Sequence, residues 1–223
     1  MDSMTEHRSG SAAQHDYIPA FGKDALLPFY DLLTRVLGMG SAYDALVAQA
    51  ELADGLRVVE IGCGTGNVTV RAKRAAPGTD MIGCDPDPLA LARAQRKVQG
   101  ITGIRFERAY AQELPFADGE FDRVLSSMML HHLDDDVKAS AAAEIHRVLR
   151  RGGELHILDI GGPMTASDGV MGRRMLRSPH IGGSLGDAIP RLLRSVGFDA
   201  SVVASRPHRF VGRLTFYRAT RPA

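Results

Sequence analysis

The chain has 223 residues, 44% of them hydrophobic and 24% charged, and a formal net charge of +1. These values are typical of a soluble globular protein with one sizeable domain, and no apolar run reaches the length of a membrane span. With only two cysteines, Cys63 and Cys84, the sequence suggests neither a disulfide framework nor a zinc cluster. We therefore expect a reducing, cytoplasmic setting.

The charge is unevenly distributed. Residues 1–164 carry 17 basic and 23 acidic side chains, a net charge of −6, whereas residues 165–223 carry 10 Arg and 3 Asp, a net charge of +7. The basic end of the chain either forms a solvated surface or attracts an anionic substrate or an anionic surface. Nucleic acid is disfavoured, because basic and aromatic residues do not interleave in a recognisable binding motif.

The chain is predicted to begin with a polar, flexible tail over residues 1–20. Two stretches with helical spacing follow, "LLPFYDLLTRVLG" and "SAYDALVAQAEL", and Ser41 is a candidate cap for the second. These helices make residues 21–54 a candidate N-terminal helical lid.

From residue 55 onward, apolar strand-like runs alternate with helical ones. Five of the runs are "LRVVEIGCG", "TDMIGCD", "IRFERAY", "RVLSSMM" and "ELHILDI". Asp87 followed by Pro88 predicts a helix start, and Gly152-Gly153 predict the end of a long helix. Alternation of this kind indicates a parallel sheet with helices on both faces. The last two strand-like runs, within residues 200–220, predict an antiparallel pair that closes the sheet edge.

The segment "VVEIGCGTGNVTV" places Gly62, Gly64 and Gly66 directly after the first strand. Phosphate, dinucleotide and sulfonium cofactors all use such turns, in which the backbone approaches the ligand closely. A dinucleotide site favours G-x-G-x-x-G, but Asn67 stands at the last position, and the Gly-Lys-Ser/Thr ending of a P-loop is absent. Diphosphate ligands are therefore disfavoured.

Two acidic residues lie beside this turn. Asp85 ends the second strand, where a carboxylate can accept hydrogen bonds from both ribose hydroxyls of a nucleoside; a cap or turn role is the alternative. Glu60 precedes the glycines in a strand buried on both faces, so it needs a partner. That partner is either the N–H groups of the loop or a cationic ligand.

Four motifs together resemble those of the class I S-adenosylmethionine-dependent methyltransferases. They are "VVEIGCGTGNVTV", "MIGCDPDPLALARAQRK", "YAQELPFADGEFDRVLSSMMLHHLDD" and "EIHRVLRRGGELHILDI", which cover roughly residues 55–162. The chain resembles most the subgroup with the ubiquinone/menaquinone biosynthesis C-methyltransferases and many small-molecule methyltransferases. The resemblance implies a Rossmann-like α/β fold over residues 55–223, with a seven-stranded, mostly parallel sheet and one antiparallel edge strand.

The resemblance also implies a set of cofactor-binding residues. The glycine loop would approach the methionine and ribose groups, Asp85 would bind the ribose, and Glu60 would support the loop or contact the methionine ammonium. The complete set is Tyr30, Glu60, Gly62, Cys63, Gly64, Gly66, Asp85, Pro86, Tyr110, Ala111, Gln112, Ser127 and Met128. Tyr110 stands where the family often has an Asp that accepts a hydrogen bond from the adenine amine. Tyr110 would therefore stack on the adenine or form a hydrogen bond with it, or it would point elsewhere while Gln112 recognises the adenine. No metal is expected.

Methyl transfer from a sulfonium is an in-line displacement, and it needs a base only when the acceptor carries a proton. His131 and His132 follow the fourth strand and are candidates for that base, or alternatively organise the loop. Residues 161–187, with Met164, Met171 and Met175, are expected to cover the acceptor as a lid. His180 and His208 lie in the variable end of the chain and are candidates for reaching the substrate.

We therefore expect an enzyme that methylates a small, partly apolar or anionic acceptor on O, C or N. The product of the cofactor would be S-adenosylhomocysteine. The alternative is a catalytically inactive, cofactor-binding regulatory or interaction protein, and a nicotinamide-dependent oxidoreductase is a more distant one. A monomer or homodimer and a peripheral membrane contact are both compatible with the sequence.

Overall fold

The computed structural model describes residues 37–178 and 181–223, in which seven strands and six α-helices follow one another. The strands are β1 (Arg57–Ile61), β2 (Asp80–Asp85), β3 (Ile104–Arg108), β4 (Phe121–Ser127), β5 (Leu149–Ile160), β6 (Asp199–His208) and β7 (Gly212–Thr220). The helices are α1 (Met39–Gln49), α2 (Asn67–Ala75), α3 (Pro88–Lys97), α4 (Asp135–Val148), α5 (Gly169–Met175) and α6 (Ala188–Ser195). None of the described helices has both the length and the apolar character that crossing a bilayer requires.

The strands form one sheet in the order β3-β2-β1-β4-β5-β7-β6. Strands β1 to β5 pair in parallel, and β7 is antiparallel to both of its neighbours. The prediction of a seven-stranded, mostly parallel sheet is confirmed. The antiparallel strand β7 lies one place inside the sheet, and β6 forms the edge. Because the strand order reverses between β1 and β4, their carboxyl ends border the crevice where such sheets bind ligands.

Helices cover both faces of the sheet with apolar side chains. On one face, Ile145 of α4 and Leu193 of α6 pack in a buried cluster with Val59 and Ile157 of the sheet. On the other face, α1 and α2 pack in a second cluster, which includes Leu46. Burial on both faces explains why the central strands read as continuous apolar runs in the sequence.

Helix α1 is part of the layer that covers the sheet. It contacts α2 and β5, and the Gln49 side chain donates a hydrogen bond to the Tyr217 carbonyl of β7 at 2.9 Å. Gly38, with φ of 72°, is the residue before the helix; Ser41 lies inside the first turn and donates to the Gly38 carbonyl, so its prediction as the cap is wrong. Residues 21–36 of the predicted lid, with Tyr30, and the tail 1–20 lie outside the described residues.

The predicted helix boundaries hold at α3 and fail at α4. Asp87 caps α3, because its Oδ1 accepts from the Leu89 N–H at 2.8 Å. Helix α4, however, ends at Val148, and Gly152-Gly153 lie inside β5. Leu149 pairs with Phe121 of β4, so tertiary pairing ends the helix before the glycines do.

Candidate functional site

The chain turns sharply at the carboxyl end of β1. Gly62, Gly64 and Gly66 all have left-handed φ values, of 71°, 51° and 77°, which residues with side chains rarely adopt. The N–H groups of Gly62 and Cys63 both donate to the Cys84 carbonyl, at 2.9 and 3.0 Å. The loop between β1 and α2 is therefore fastened to the end of β2.

The three glycines differ in the space around them. A Cβ on Gly62 would lie 2.8 Å from the Cβ of Met129, and one on Gly66 would lie 3.0 Å from the Cβ of Ala94. A Cβ on Gly64 would meet no described atom within 4 Å. Gly62 and Gly66 are thus needed for packing, whereas Gly64 faces open space where a ligand can approach the backbone.

Asp85 lies beside this open space and holds the loop. Its Oδ2 accepts from the Gly64 N–H at 2.8 Å, and its Oδ1 accepts from the Asp87 N–H at 2.9 Å. Burial raises the pKa of the carboxyl, and the two N–H groups partly offset that rise. Each carboxylate oxygen keeps a second lone pair for a further donor.

Glu60 is buried beneath the loop, with 1% of its surface exposed. The hydroxyl of Thr69 on α2 donates to its Oε2, and the hydroxyl of Ser127 on β4 donates to its Oε1 at 3.3 Å. Burial raises the pKa of this carboxyl to about 8, in spite of the two hydroxyl donors. Glu60 therefore connects β1, α2 and β4.

The fourth strand ends in a strained turn next to Glu60. Met128 has φ of 56°, a left-handed value that is rare for a residue with a long side chain, and its N–H donates to the Leu158 carbonyl at 2.8 Å. Strain of this kind costs on the order of 1–3 kcal/mol and clusters at ligand sites. Ser127 and Met128 are both half-buried at this edge of the sheet.

His131 is held by a buried carboxylate. Both the backbone N–H and the ring Nδ1 of His131 bond to Asp159 at the end of β5, and Asp159 also accepts from the Ile160 N–H at 2.7 Å. Asp159 is fully buried, and the His131 side chain is 14% exposed. The His132 ring lies against the His131 ring, with centroids 4.0 Å apart.

The turn after β3 lies beside the end of β2. The Ala109 N–H donates to the Asp85 carbonyl at 3.3 Å, which brings the following residues to this edge of the sheet. Tyr110, Ala111 and Gln112 are all half-buried, and Tyr110 pairs with Glu113 in an isolated bridge. Pro86 is also half-buried, and its carbonyl accepts from the Arg108 guanidinium at 3.1 Å.

The two cysteines are buried free thiols at the same place. Burial, together with the carboxylates of Glu60 and Asp85, raises the pKa of both thiols above the ordinary value. Thiols with raised pKa values are poor nucleophiles, so neither Cys63 nor Cys84 is suited to covalent chemistry here.

Most of the residues predicted for the site converge at the carboxyl ends of β1, β2 and β4, while His131 and His132 lie one strand further along. Tyr30 and His180 lie outside the described residues. Sequence reasoning missed Thr69, Met129 and Asp159. Of these, Asp159 had a signal, since an acid inside the apolar run "HILDI" demands a partner.

Comparison with known proteins identifies the family. The model of the methyltransferase domain matches residues 58–153. The demethylmenaquinone methyltransferase of Thermus thermophilus is 33% identical over 169 residues, which cover 71% of this chain and 74% of the relative. The chain belongs to the class I S-adenosylmethionine-dependent methyltransferases.

Other similarities agree with this assignment. The demethylmenaquinone methyltransferase of Deinococcus radiodurans is also 33% identical, over 71% of this chain and 67% of its own length. The fold matches phosphoethanolamine N-methyltransferase 2 of Haemonchus contortus in complex with S-adenosylmethionine, with a TM-score of 0.72 at 18% identity, over 92% of this chain and 59% of that one. A methyltransferase of Aquifex aeolicus gives a TM-score of 0.67 at 14% identity, over 89% and 98% of the two chains.

The expected activity and cofactor are therefore confirmed. This methyltransferase uses S-adenosylmethionine to methylate a small-molecule acceptor. Nothing in the comparisons favours the catalytically inactive alternative.

Proposed function

We propose that this methyltransferase methylates a partly apolar, quinone-type aromatic acceptor, and that it binds its cofactor in the open space beside Gly64 and Asp85. The names of the relatives in Thermus and Deinococcus support the acceptor class. The observation that carries the cofactor site is the hydrogen bond between the Gly64 N–H and Asp85, beside the open space at Gly64. The two free thiols support a reducing, cytoplasmic location.

These residues fit the cofactor. The lone pairs that Asp85 keeps suit the two ribose hydroxyls, and the open backbone at Gly64 suits a close approach by the methionine and ribose groups. Pro86 and the turn formed by Tyr110, Ala111 and Gln112 are assigned to the adenine. When bound, the cofactor supplies an electrophilic methyl group on its sulfonium.

Glu60 is assigned a positioning role. Its two oxygens already accept hydrogen bonds from Thr69 and Ser127. Because Thr69 lies on the helix that follows the glycine loop, Glu60 fixes the end of that loop to β4. A cation at the end of β4, next to Met128, would favour the ionised carboxylate and lower the pKa of Glu60 from its value of about 8. The ammonium of a bound amino acid is such a cation.

His131 is assigned as the base for an acceptor hydroxyl. Asp159 occupies Nδ1, which leaves Nε2 as the nitrogen that can take a proton, and the buried carboxylate stabilises the imidazolium that forms. Removal of a phenolic proton would raise the nucleophilicity of the aromatic ring or of its oxygen. The alternative, in which His131 only organises the loop, predicts no kinetic role for Nε2.

The proposed function is tested in two steps. Calorimetry measures binding of S-adenosylhomocysteine, and mass spectrometry then follows methyl transfer to naphthoquinols with short isoprenoid tails, catechols and primary amines. We expect one added methyl group on a naphthoquinol. Binding of the cofactor with no product from any acceptor would instead support a protein that binds without transfer.

The role of His131 has its own test. With a proton-bearing acceptor, His131→Gln should lower kcat by about 10²–10⁴ and remove the acidic limb of the pH profile. Asp159→Asn should lower kcat less and keep an acidic limb, because the imidazole is still present. Affinity for S-adenosylhomocysteine should stay unchanged. Parallel losses of affinity and thermal stability, with an unchanged pH profile, would assign His131 to loop organisation.

A further inference from the structure

The basic end of the chain forms one exposed surface along α5 and the residues just after it, and at the end of β6 with the turn before β7. We name it the arginine surface, and its members are Val170, Arg173, Arg174, Arg177, Arg206, Arg209 and Phe210. The two parts are in contact, because a Cβ on Gly212 would lie 3.0 Å from the Cα of Gly172. Asp168, just before α5, joins Arg213 of β7 with N–O distances of 2.6 and 2.9 Å.

The charges of the arginine surface are not neutralised by the described part of the chain. Its five arginines are exposed, and in residues 37–178 and 181–223 no carboxylate lies within ion-pair distance of them. Two of the three acids in residues 165–223 are already paired, Asp168 with Arg213 and Asp187 with Arg191. Five uncompensated cations on one surface create a positive potential that attracts an anionic partner.

Apolar side chains are exposed among these cations. Val170 is 75% exposed and Phe210 is 41% exposed, and the Arg209 guanidinium lies 5.4 Å from the centre of the Phe210 ring. A bilayer surface takes up both components, since aliphatic and aromatic side chains enter the acyl boundary while arginines bind anionic headgroups. A nucleic acid would stack on Phe210, but it offers no apolar phase to Val170.

The position of the arginine surface relates it to the candidate site. Strand β6 runs parallel to β5, because both are antiparallel to β7. The turn after His208 is therefore at the same edge of the sheet as the carboxyl ends of β1, β2 and β4. The segment 161–187, which is expected to cover the acceptor, contains α5.

We propose that the arginine surface docks this methyltransferase on an anionic lipid bilayer, with Val170 and Phe210 entering the interface. The docking does not depend on the identity of the proposed acceptor, because it concerns the surface on which the protein is located. A lipid-soluble acceptor would nevertheless reach the site from the same bilayer.

Vesicle flotation of the full chain tests the docking, with phosphatidylcholine vesicles that contain or lack phosphatidylglycerol. We expect binding only to the anionic vesicles, weakened by added salt. Each arginine near such a surface contributes about fivefold, so the double variant Arg173→Gln/Arg209→Gln should lower partitioning by about 25-fold. Val170→Ser/Phe210→Ser should lower it as well, because burial of apolar side chains is lost.

Matched controls keep the result specific. Arg74→Gln/Arg96→Gln removes two exposed arginines from α2 and α3, and Val202→Ser removes an exposed apolar side chain from the middle of β6. Both controls should leave partitioning unchanged within about twofold, since neither site belongs to the arginine surface. Calorimetry with S-adenosylhomocysteine on every variant separates loss of docking from loss of the cofactor site.

Three outcomes would overturn the docking. The first is no flotation with anionic vesicles. The second is an equal loss of partitioning in Arg74→Gln/Arg96→Gln, which would show that partitioning depends only on the net charge of the protein. The third is binding to single-stranded nucleic acid or to an acidic protein that depends on the arginine surface, in the absence of vesicle binding.

Discussion

Residues 57–112 and residues 165–223 use charged side chains in opposite ways. In the first region, the two acids at the candidate site have partners within the fold: Glu60 has Thr69 and Ser127, and Asp85 has the N–H groups of Gly64 and Asp87. In the second region, the arginines of the arginine surface are exposed without a described carboxylate. The acids of the first region thus help to shape a site within the fold, whereas the arginines of the second region remain available to a partner.

The largest expected effect tests the backbone of the first region. Gly62→Ala should lower the free energy of unfolding by about 3 kcal/mol, because it combines a left-handed φ with a clash against Met129. Gly64→Ala should cost only about 1–2 kcal/mol but weaken binding of S-adenosylhomocysteine, since the new methyl group enters the open space.

Chemical denaturation and calorimetry measure the two effects. Gly100→Ala is the control, because its φ of 81° is also left-handed and a Cβ there meets no described atom within 4 Å. If Gly64→Ala binds the cofactor as well as the Gly100 control does, the open space is not the ligand site.

The next effect concerns Asp85, whose carboxylate accepts a hydrogen bond from the glycine loop and is proposed to bind the ribose of the cofactor. Asp85→Asn should weaken binding of S-adenosylhomocysteine by about 100-fold, because two charge-assisted hydrogen bonds become weaker. Asp80→Asn, at the opposite end of the same strand, removes an exposed acid that pairs with Arg57 and Arg105, and it should leave the affinity unchanged. Equal affinities of the two variants by calorimetry would contradict the assignment.

A smaller effect depends on pH. The folded-state pKa of Glu60, about 8, lies above its ordinary value of 4.5, so the folded state binds more protons between these values. The stabilisation linked to the proton on Glu60 is therefore fully present below about pH 4.5. The free energy of unfolding then falls as the pH rises to about 8, by at most about 1.4 kcal/mol per pH unit.

Glu60→Gln should remove this slope, and bound S-adenosylmethionine should flatten it in the wild type by lowering the pKa of Glu60. Denaturation series at several pH values measure both changes. Identical slopes for the wild type and Glu60→Gln would show that Glu60 titrates normally in the fold.

The smallest effect probes the second region. Asp168→Asn should lower the free energy of unfolding by about 1 kcal/mol or less, since it weakens the paired hydrogen bonds with Arg213. Hydrogen exchange over residues 165–177 should accelerate, because these bonds join α5 to β7. Asp187→Asn breaks an exposed pair with Arg191 and is the matched control, for which no acceleration is expected there.

The sequence predicted the parts of the molecule that local chemistry determines. The glycine turn needs left-handed φ values, and Asp87 with Pro88 before a run of helical spacing is a local start signal, so both were readable without tertiary information. The end of α4 was misplaced, because the pairing of Leu149 with Phe121 overrides the glycines that follow.

The candidate site was predicted only where its residues are close to a motif. Thr69 is nine residues from Glu60, and Asp159 is 28 residues from His131, so these partners become visible only when the strands are placed side by side. The clash that keeps Gly62 without a side chain comes from Met129 on another strand end. Single-residue patterns do not encode such contacts.

Asp159 has a consequence for engineering. The three N–H donors that it accepts from belong to His131 and Ile160, so the hydrogen bond that orients the imidazole comes from the end of the fifth strand. A designer can exchange the residues beyond Ile160 for those of another enzyme without removing any of these donors. The fold thereby separates a histidine that the sheet holds in place from a following segment that can be replaced.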